Sequence, residues 1–357
     1  MKVQSIALKY FKAFENREFD FTHEETGLAR DLILIIGSNG SGKTSILQAI
    51  SATLGVATGR LKRLSDLEWP GFNYELLASN WGRVEPEVSL KVQFSSKELQ
   101  AIREFQEKLQ DLEPETPENG VLTDGKHIVN LKWRNGIVEA ENATELLQFK
   151  GRQYAKRLLR SEGFEAFERV GTALWYTEQR TSTSLTSEDP EQKLEITDDM
   201  LRDRLSKLRQ FHQFFEDGKI QQLRPGQKDL YAEIEKAYKT IFPKRSFEGP
   251  FPREGIDDIL SEPWFYLYDG KKQYEISEMS GGERATFPML MDFASWNIHN
   301  SVILIDELEL HLHPPMQQAL LRALPDLGKN NQFIVTTHSD RIEQLIPEAY
   351  IIRLEVQ

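Results

Sequence analysis

Asp31-Leu32-Ile33-Leu34-Ile35-Ile36-Gly37-Ser38-Asn39-Gly40-Ser41-Gly42-Lys43-Thr44-Ser45-Ile46-Leu47 is an apolar run, a glycine-rich turn and the start of a helix in direct succession. The run is almost unbroken and carries β-branched residues, the pattern of a strand buried on both faces. Gly37 to Thr44 fits G-x-x-x-x-G-K-[ST] completely, and Ser45 to Leu54 has helical spacing. The glycines let the backbone bend tightly and bring its N–H groups onto phosphate oxygens. The helix N-terminus adds the positive end of its dipole. Gly37, Asn39, Gly40, Gly42, Thr44 and Ser45 are therefore expected around a nucleoside triphosphate. Lys43 is expected at its β- and γ-phosphates, and the Thr44 hydroxyl on Mg²⁺. ATP and Mg²⁺ follow as the expected cofactors, but this loop alone does not separate a kinase from a motor or a GTPase.

Three further motifs follow in order: Ser280-Gly281-Gly282-Glu283, Val302-Ile303-Leu304-Ile305-Asp306-Glu307 and Thr336-Thr337-His338-Ser339. The second is a buried apolar strand ending in two carboxylates. In that setting Asp306 holds the metal and Glu307 polarises the attacking water. A solvated turn is the plainer reading of such a pair, but the phosphate loop upstream argues against it. His338 follows a strand from Gln332 to Thr336, at the sheet edge where phosphate-loop proteins place their chemistry. There it reaches the γ-phosphate; a capping or core histidine is the alternative. Ser280 to Glu283 precedes a helix, so its donors face an anion at a helix N-terminus. Glu309, His311 and His313 invite a metal-site reading, which their i, i+2, i+4 spacing and Pro314-Pro315 disfavour.

Outward from these motifs the chain reads as α/β. Val3 to Leu8, Tyr10 to Phe14 and Arg17 to Phe21 alternate as strands, as does Val88 to Phe94. His127 to Arg134 and Ile137 to Ala140 flank Asn135-Gly136, a two-residue hairpin signal. Ser96 to Glu113 and Glu145 to Arg160 read as charged helices separated by a loop over 114–120. Thr181 to Pro190 reads as a mobile Ser/Thr-rich connection. Met200 to Phe215 and Lys228 to Ile241 read as helices, neither with sustained coiled-coil heptads. A hairpin (Trp264 to Tyr268, Gln273 to Ile276), a helix (Gly282 to Asn297), a helix (Pro315 to Leu324) and a last strand (Tyr350 to Val356) complete the chain. Residues 1–180 and 262–357 then form the two halves of one nucleotide-binding core, a mixed sheet with an antiparallel portion. Residues 181–261 form a helical insertion between them.

At 357 residues, 39% hydrophobic and 28% charged, the composition is that of an ordinary globular protein. No apolar stretch approaches the roughly 18 residues of a membrane span, so no membrane partner is expected. The absence of cysteine rules out disulfides and fits a reducing, cytoplasmic setting. A net charge of -12 argues against a surface basic all over, but a local groove remains open. The candidate is Lys150, Arg152, Lys156, Arg157 and Arg160. Arg152, Lys156 and Arg160 share a helical face, for nucleic acid or an acidic partner if it is more than a solvated face.

Taken together these motifs resemble the ABC-type ATPases, and within them the SMC/RecF/OLD-like branch. Leu8-Lys9-Tyr10-Phe11-Lys12-Ala13-Phe14 is similar to that branch's opening strand, with Lys12 at a usually basic position near the nucleotide. Met279-Ser280-Gly281-Gly282-Glu283-Arg284 resembles its signature, with methionine in place of leucine. Ile305 to Pro314 resembles the acidic-strand stretch of OLD-like bacterial defence ATPases, with Leu308 in place of proline. The resemblance covers residues 1–55 and 264–340.

The resemblance implies two copies sandwiching two ATP molecules. Ser280, Gly282 and Glu283 of one copy would then face the nucleotide held by Lys43 of the other, and His313 would lie at the interface. It also implies a metal-contacting glutamine after the strand Ala173 to Tyr176, for which Gln179 is the candidate beside Arg180. An exposed loop pair is the plainer reading there. OLD nucleases carry a nuclease domain, whereas only Asp340 to Gln357 follow Ser339 here, so a separately encoded effector is expected. Septu- and retron-type anti-phage systems, which pair such an ATPase with a nuclease or toxin, supply the leading context. A RecF-like DNA-repair ATPase is the alternative, and a transporter ATPase subunit a more distant one.

Overall fold

A computed structural model describes residues 1–77, 81, 82, 84–112, 120–122, 124–178, 197–219, 229–253 and 263–355. The chain opens on a hairpin of β1 (Lys2–Phe11) and β2 (Phe14–Asp20), then enters β3 (Leu32–Gly37) and α1 (Lys43–Ala57). After a short α2 (Tyr74–Leu77) come β4 (Glu87–Gln93), α3 (Ser96–Leu112) and the hairpin β5 (Ile128–Arg134) with β6 (Ile137–Ala140). Asn135 and Gly136 both have positive φ, 49° and 76°, as a primed two-residue turn requires. α4 (Gly151–Arg157), α5 (Leu159–Glu162) and β7 (Ala173–Tyr176) follow.

The second half begins with α6 (Asp198–Glu216), α7 (Leu230–Ile241), β8 (Ser246–Phe251), β9 (Trp264–Tyr268) and β10 (Gln273–Glu275). It ends with α8 (Gly281–Trp296), β11 (Val302–Ile305), α9 (Pro314–Ala323), β12 (Gln332–Thr337), α10 (Asp340–Glu343) and β13 (Ile351–Leu354).

Among the described residues three sheets form: an antiparallel β2-β1-β4-β5-β6, an antiparallel β10-β9-β8, and a parallel β13-β3-β12-β11-β7. The parallel sheet divides the molecule into two cores. Ile33 and Ile35 of β3 pack with α1 and the large antiparallel sheet, while Leu34 and Ile36 pack on the opposite side with α7, α8 and the small sheet. β11 splits the same way, with Val302 and Leu304 on one side and Ile303 and Ile305 on the other. Successive strand side chains point to opposite faces, so a strand covered on both sides must be apolar throughout.

Two sequence expectations are corrected. Glu145 to Arg160 is not one helix: residues 143–150 form a 3₁₀ helix, and α4 and α5 break apart at Leu158. Residues 181–261 are not wholly helical either, because β8 completes the small sheet with β9 and β10. Its Gly249 takes φ 103° at a register shift, and this bulge hid the strand's periodicity. The Ser/Thr-rich stretch 181–190 and most of the loop 114–120 lie outside the described residues.

Candidate functional site

In a parallel sheet all strand ends of one kind lie along one edge, and the carboxyl ends are where ligands bind. Here that edge gathers the loop after β3, the Asp306-Glu307 pair after β11 and His338 after β12. The phosphate loop is shaped by Gly40 and Gly42, with φ of 82° and 97°. At Gly42 a Cβ would stand 2.4 Å from the ring of Phe14, so only glycine fits both the backbone and the space. Phe14 comes from the β1–β2 hairpin, and the opening strand thereby braces the loop.

Lys43 is buried, and its Nζ donates to the carbonyls of Gly37 (2.9 Å) and Ser38 (3.0 Å). Nζ also lies 3.3 Å from Nδ1 of His338. Burial lowers the pKa of Lys43, against the opposing pull of Glu307, Asp306 and Glu309. An ammonium only donates, so this contact assigns Nδ1 of His338 as the acceptor and Nε2 as the nitrogen left to donate. That Nε2 faces Oε1 of Glu307 at 3.5 Å. His338 therefore spans the loop lysine and the second carboxylate.

Asp306 is 2% exposed, and the Thr44 hydroxyl donates to its two oxygens at 3.1 and 3.0 Å. A hydroxyl beside a buried carboxylate is the hard oxygen donor set that Mg²⁺ takes. Ser41 Oγ is buried without a hydrogen-bond partner among the described residues, inside a loop whose shape turns donors towards an anion. These residues fit a metal-bound triphosphate. Glu307 takes φ 48°, a left-handed conformation uncommon for a residue other than glycine.

Several supports had no role assigned from the sequence. Thr336 Oγ1 donates to Asp306 Oδ1 (2.6 Å) and accepts the Glu307 N–H (2.8 Å). Glu309 accepts the His338 backbone N–H. Gln317 of α9 donates to the Leu312 carbonyl (2.9 Å), and its Oε1 accepts the Ser339 hydroxyl (3.0 Å). The only hint was that two threonines close an otherwise apolar strand. That Thr336 faces Asp306 depends on the β11–β12 register, Ile305 opposite Val335. Glu309, His311 and His313 do not assemble a metal site: no cluster of three such ligands occurs among the described residues. His311 sits in a turn with φ 62°, and His313 caps α9 through its backbone conformation.

Ser280 caps α8, and both Ser280 and Gly281 are exposed. Glu283 is corrected from a nucleotide contact to a structural anchor. Its carboxylate is 1% exposed, and Oε2 accepts the Ser280 N–H (2.9 Å) and hydroxyl (2.8 Å). Oε1 accepts from Tyr238 (2.6 Å), Tyr274 and Arg245. Burial alone would raise the Glu283 pKa, but these donors outweigh it and hold the group ionised.

Lys12 donates to Gln48 Oε1 and to the Gly71 carbonyl, about one helical turn along α1 from Thr44 rather than in the loop itself. Gln179 lies outside the described residues. The basic face is also corrected. Arg152 donates to the carbonyls of Trp296 and Asn297 at the end of α8 and stacks 3.7 Å from the Phe167 ring centroid, so it braces a helix C-terminus instead of facing solvent. Arg160 belongs to a different helix.

A family model described as an AAA domain, putative AbiEii toxin, type IV TA system, matches residues 154–342, and a second AAA-domain model matches residues 5–247. The retron Ec83 probable ATPase of Escherichia coli is 22% identical over 96% of this chain and 69% of its own length. The retron Vc95 probable ATPase of Vibrio cholerae serotype O1 biovar El Tor is 23% identical over 95% of this chain and 70% of its own. Among solved structures, an SMC head bound to the C-winged helix domain of ScpA superposes over 96% of this chain and 91% of that one, with 18% identity and a TM-score of 0.46.

Proposed function

The chain belongs to the AAA-domain family, and from that premise we propose that it binds and hydrolyses Mg²⁺-ATP, closing as a dimer around the nucleotide to gate a separately encoded effector in anti-phage defence. The observation that carries the hydrolytic reading is the meeting of Lys43, Thr44, Asp306, Glu307 and His338 at one sheet edge. The similarity to two retron ATPases supports the defence reading.

In the proposed reaction the loop N–H groups and Lys43 bind the β- and γ-phosphates. Thr44 and Asp306 would hold Mg²⁺, which when bound would offset charge developing on the phosphates. Glu307 orients the attacking water and takes its proton. His338, protonated on Nε2, is in place to donate to a γ-phosphate oxygen. Ser280 and Gly282, at an exposed helix N-terminus, complete the site of the other copy.

The test is phosphate release from ATP by purified protein, with Lys43→Ala and Glu307→Gln as controls. Equal turnover in wild type and Glu307→Gln would refute the assigned base. Effector gating is checked by copurification of the affinity-tagged protein with the product of a neighbouring gene.

A further inference from the structure

We propose that Thr336 is a positioning residue for this reaction, setting the metal-binding carboxylate and the backbone of the general base with one hydroxyl. The assignment rests on the ATPase reading above. β12 lies between β3 and β11, so its last residues stand between the phosphate loop and the acidic pair. Thr336 is fully buried there. Its single proton goes to Asp306 Oδ1 at 2.6 Å, and its lone pair takes the Glu307 N–H at 2.8 Å.

Both links concern groups that need help. Asp306 is buried and charged, with Thr44 as its other hydroxyl donor. Thr44 is itself the expected metal ligand, so Thr336 is the donor left to hold the Asp306 rotamer when a cation is present. Glu307 sits at φ 48°, a conformation that a glutamate adopts only when its surroundings fix it. The Leu308 N–H donates to the Thr336 carbonyl at 3.0 Å, so Thr336 anchors two consecutive residues of that turn. Removing the hydroxyl takes the acceptor from a partly buried N–H and loosens a carboxylate that must present one oxygen to the metal.

The experiment compares Thr336→Val, nearly the same shape without the hydroxyl, with Thr336→Ser, which keeps it. The first readout is the affinity of a fluorescent ATP analogue in EDTA and in Mg²⁺; the others are the Mg²⁺ concentration for half-maximal turnover and the split between kcat and KM. By the usual cost of losing an outer-shell partner, T336V should raise the half-saturating Mg²⁺ concentration or lower kcat about 10–100-fold. Binding in EDTA should stay within about twofold, because the phosphate-loop contacts of Lys43 are untouched. T336S should recover most of the Mg²⁺ response. If T336V does not fold, T336C takes its place, since a thiol fills the position but is a weak donor.

Wild-type Mg²⁺ response and kcat in T336V, or in T336C where that replaces it, overturn the assignment. So do equal losses in the serine variant and the variant lacking the hydroxyl, which would mean packing alone, and a fall in EDTA binding matching that in Mg²⁺. A wild type that neither binds nor hydrolyses Mg²⁺-ATP overturns the proposed function itself, and this assignment with it.

Discussion

Lys43 and Glu307 stand on either side of His338, yet their removal should have opposite signatures. Lys43→Ala takes away the cation that meets the phosphates, so a fluorescent ATP analogue should no longer bind at micromolar concentration. Glu307→Gln keeps shape and hydrogen-bonding reach but cannot take a proton. Nucleotide affinity should be kept while kcat falls about 10²–10⁴-fold, the usual contribution of a general base. Gly42→Ala tests the loop's backbone. The new Cβ meets Phe14 at 2.4 Å and the residue must hold φ 97°, so binding should be lost although no phosphate donor is removed. Trimming Phe14 as well, in a Gly42→Ala/Phe14→Ala double variant, relieves the clash but not the φ strain and should restore binding only in part; full restoration would show that the clash alone mattered. Gly42, Lys43, Glu307 and His338 could be picked out in the sequence because spacing within one loop or one strand end marks them, whereas the approach of Phe14 to Gly42 is a distant contact that spacing does not reveal.

Elements were legible where pattern and partner coincide, and obscure where a distant partner decides. β3 and β11 read as buried strands because both faces are apolar, and Asn135-Gly136 marks its hairpin unaided. Glu283 read as a nucleotide contact, and Arg152 as part of a solvated or partner-binding basic face, because nothing nearby in sequence reveals Tyr238 and Arg245, or the C-terminal end of α8. The anchoring role of Glu283 predicts that Glu283→Gln destabilises the fold by about 3 kcal/mol, since it leaves Arg245 without its counter-charge in a buried network. A lowered midpoint in chemical denaturation checks this. Glu275 supplies the pH dependence. Burial alone would raise its pKa, but the Arg202 guanidinium and the Ser277 donors outweigh that and pull it down to about 2. A carboxylate held below its unfolded value of 4.5 stabilises the fold above that pH, and the contribution is lost as pH falls from there towards 2. Glu275→Gln should therefore weaken the protein at neutral pH and flatten its acid unfolding curve between those values, read by circular dichroism.

At the scale of the whole molecule, α8 lies in one core and is tied at both ends by polar contacts. Its N-terminus is held by Glu283 to α7, β10 and Arg245, and its C-terminus by Arg152 of α4. Midway, Asp292 accepts the hydroxyl of Tyr176, the last residue of β7, at 3.2 Å. The cap of this braced helix is exposed: Ser280 and Gly281 face solvent, and a Cβ added at Gly282 would stand 3.3 Å from the Leu312 side chain. In the proposed two-copy site, this outward N-terminus would meet the phosphate held by the other copy. The dimer reading then has a definite consequence. Glu307→Gln, which binds ATP without consuming it, should double in mass by light scattering on addition of Mg²⁺-ATP, and stay monomeric with nucleotide omitted. Adding Ser280→Arg puts a long side chain where the other copy's phosphate must approach. It should return the protein to monomer mass while leaving its own fluorescent-ATP binding unchanged, because the nucleotide of each copy is held by that copy's Lys43. Loss of nucleotide binding in the Ser280→Arg monomer would place the signature loop over its own phosphate loop and sink the two-copy site. A monomer at every nucleotide concentration in Glu307→Gln alone would do the same.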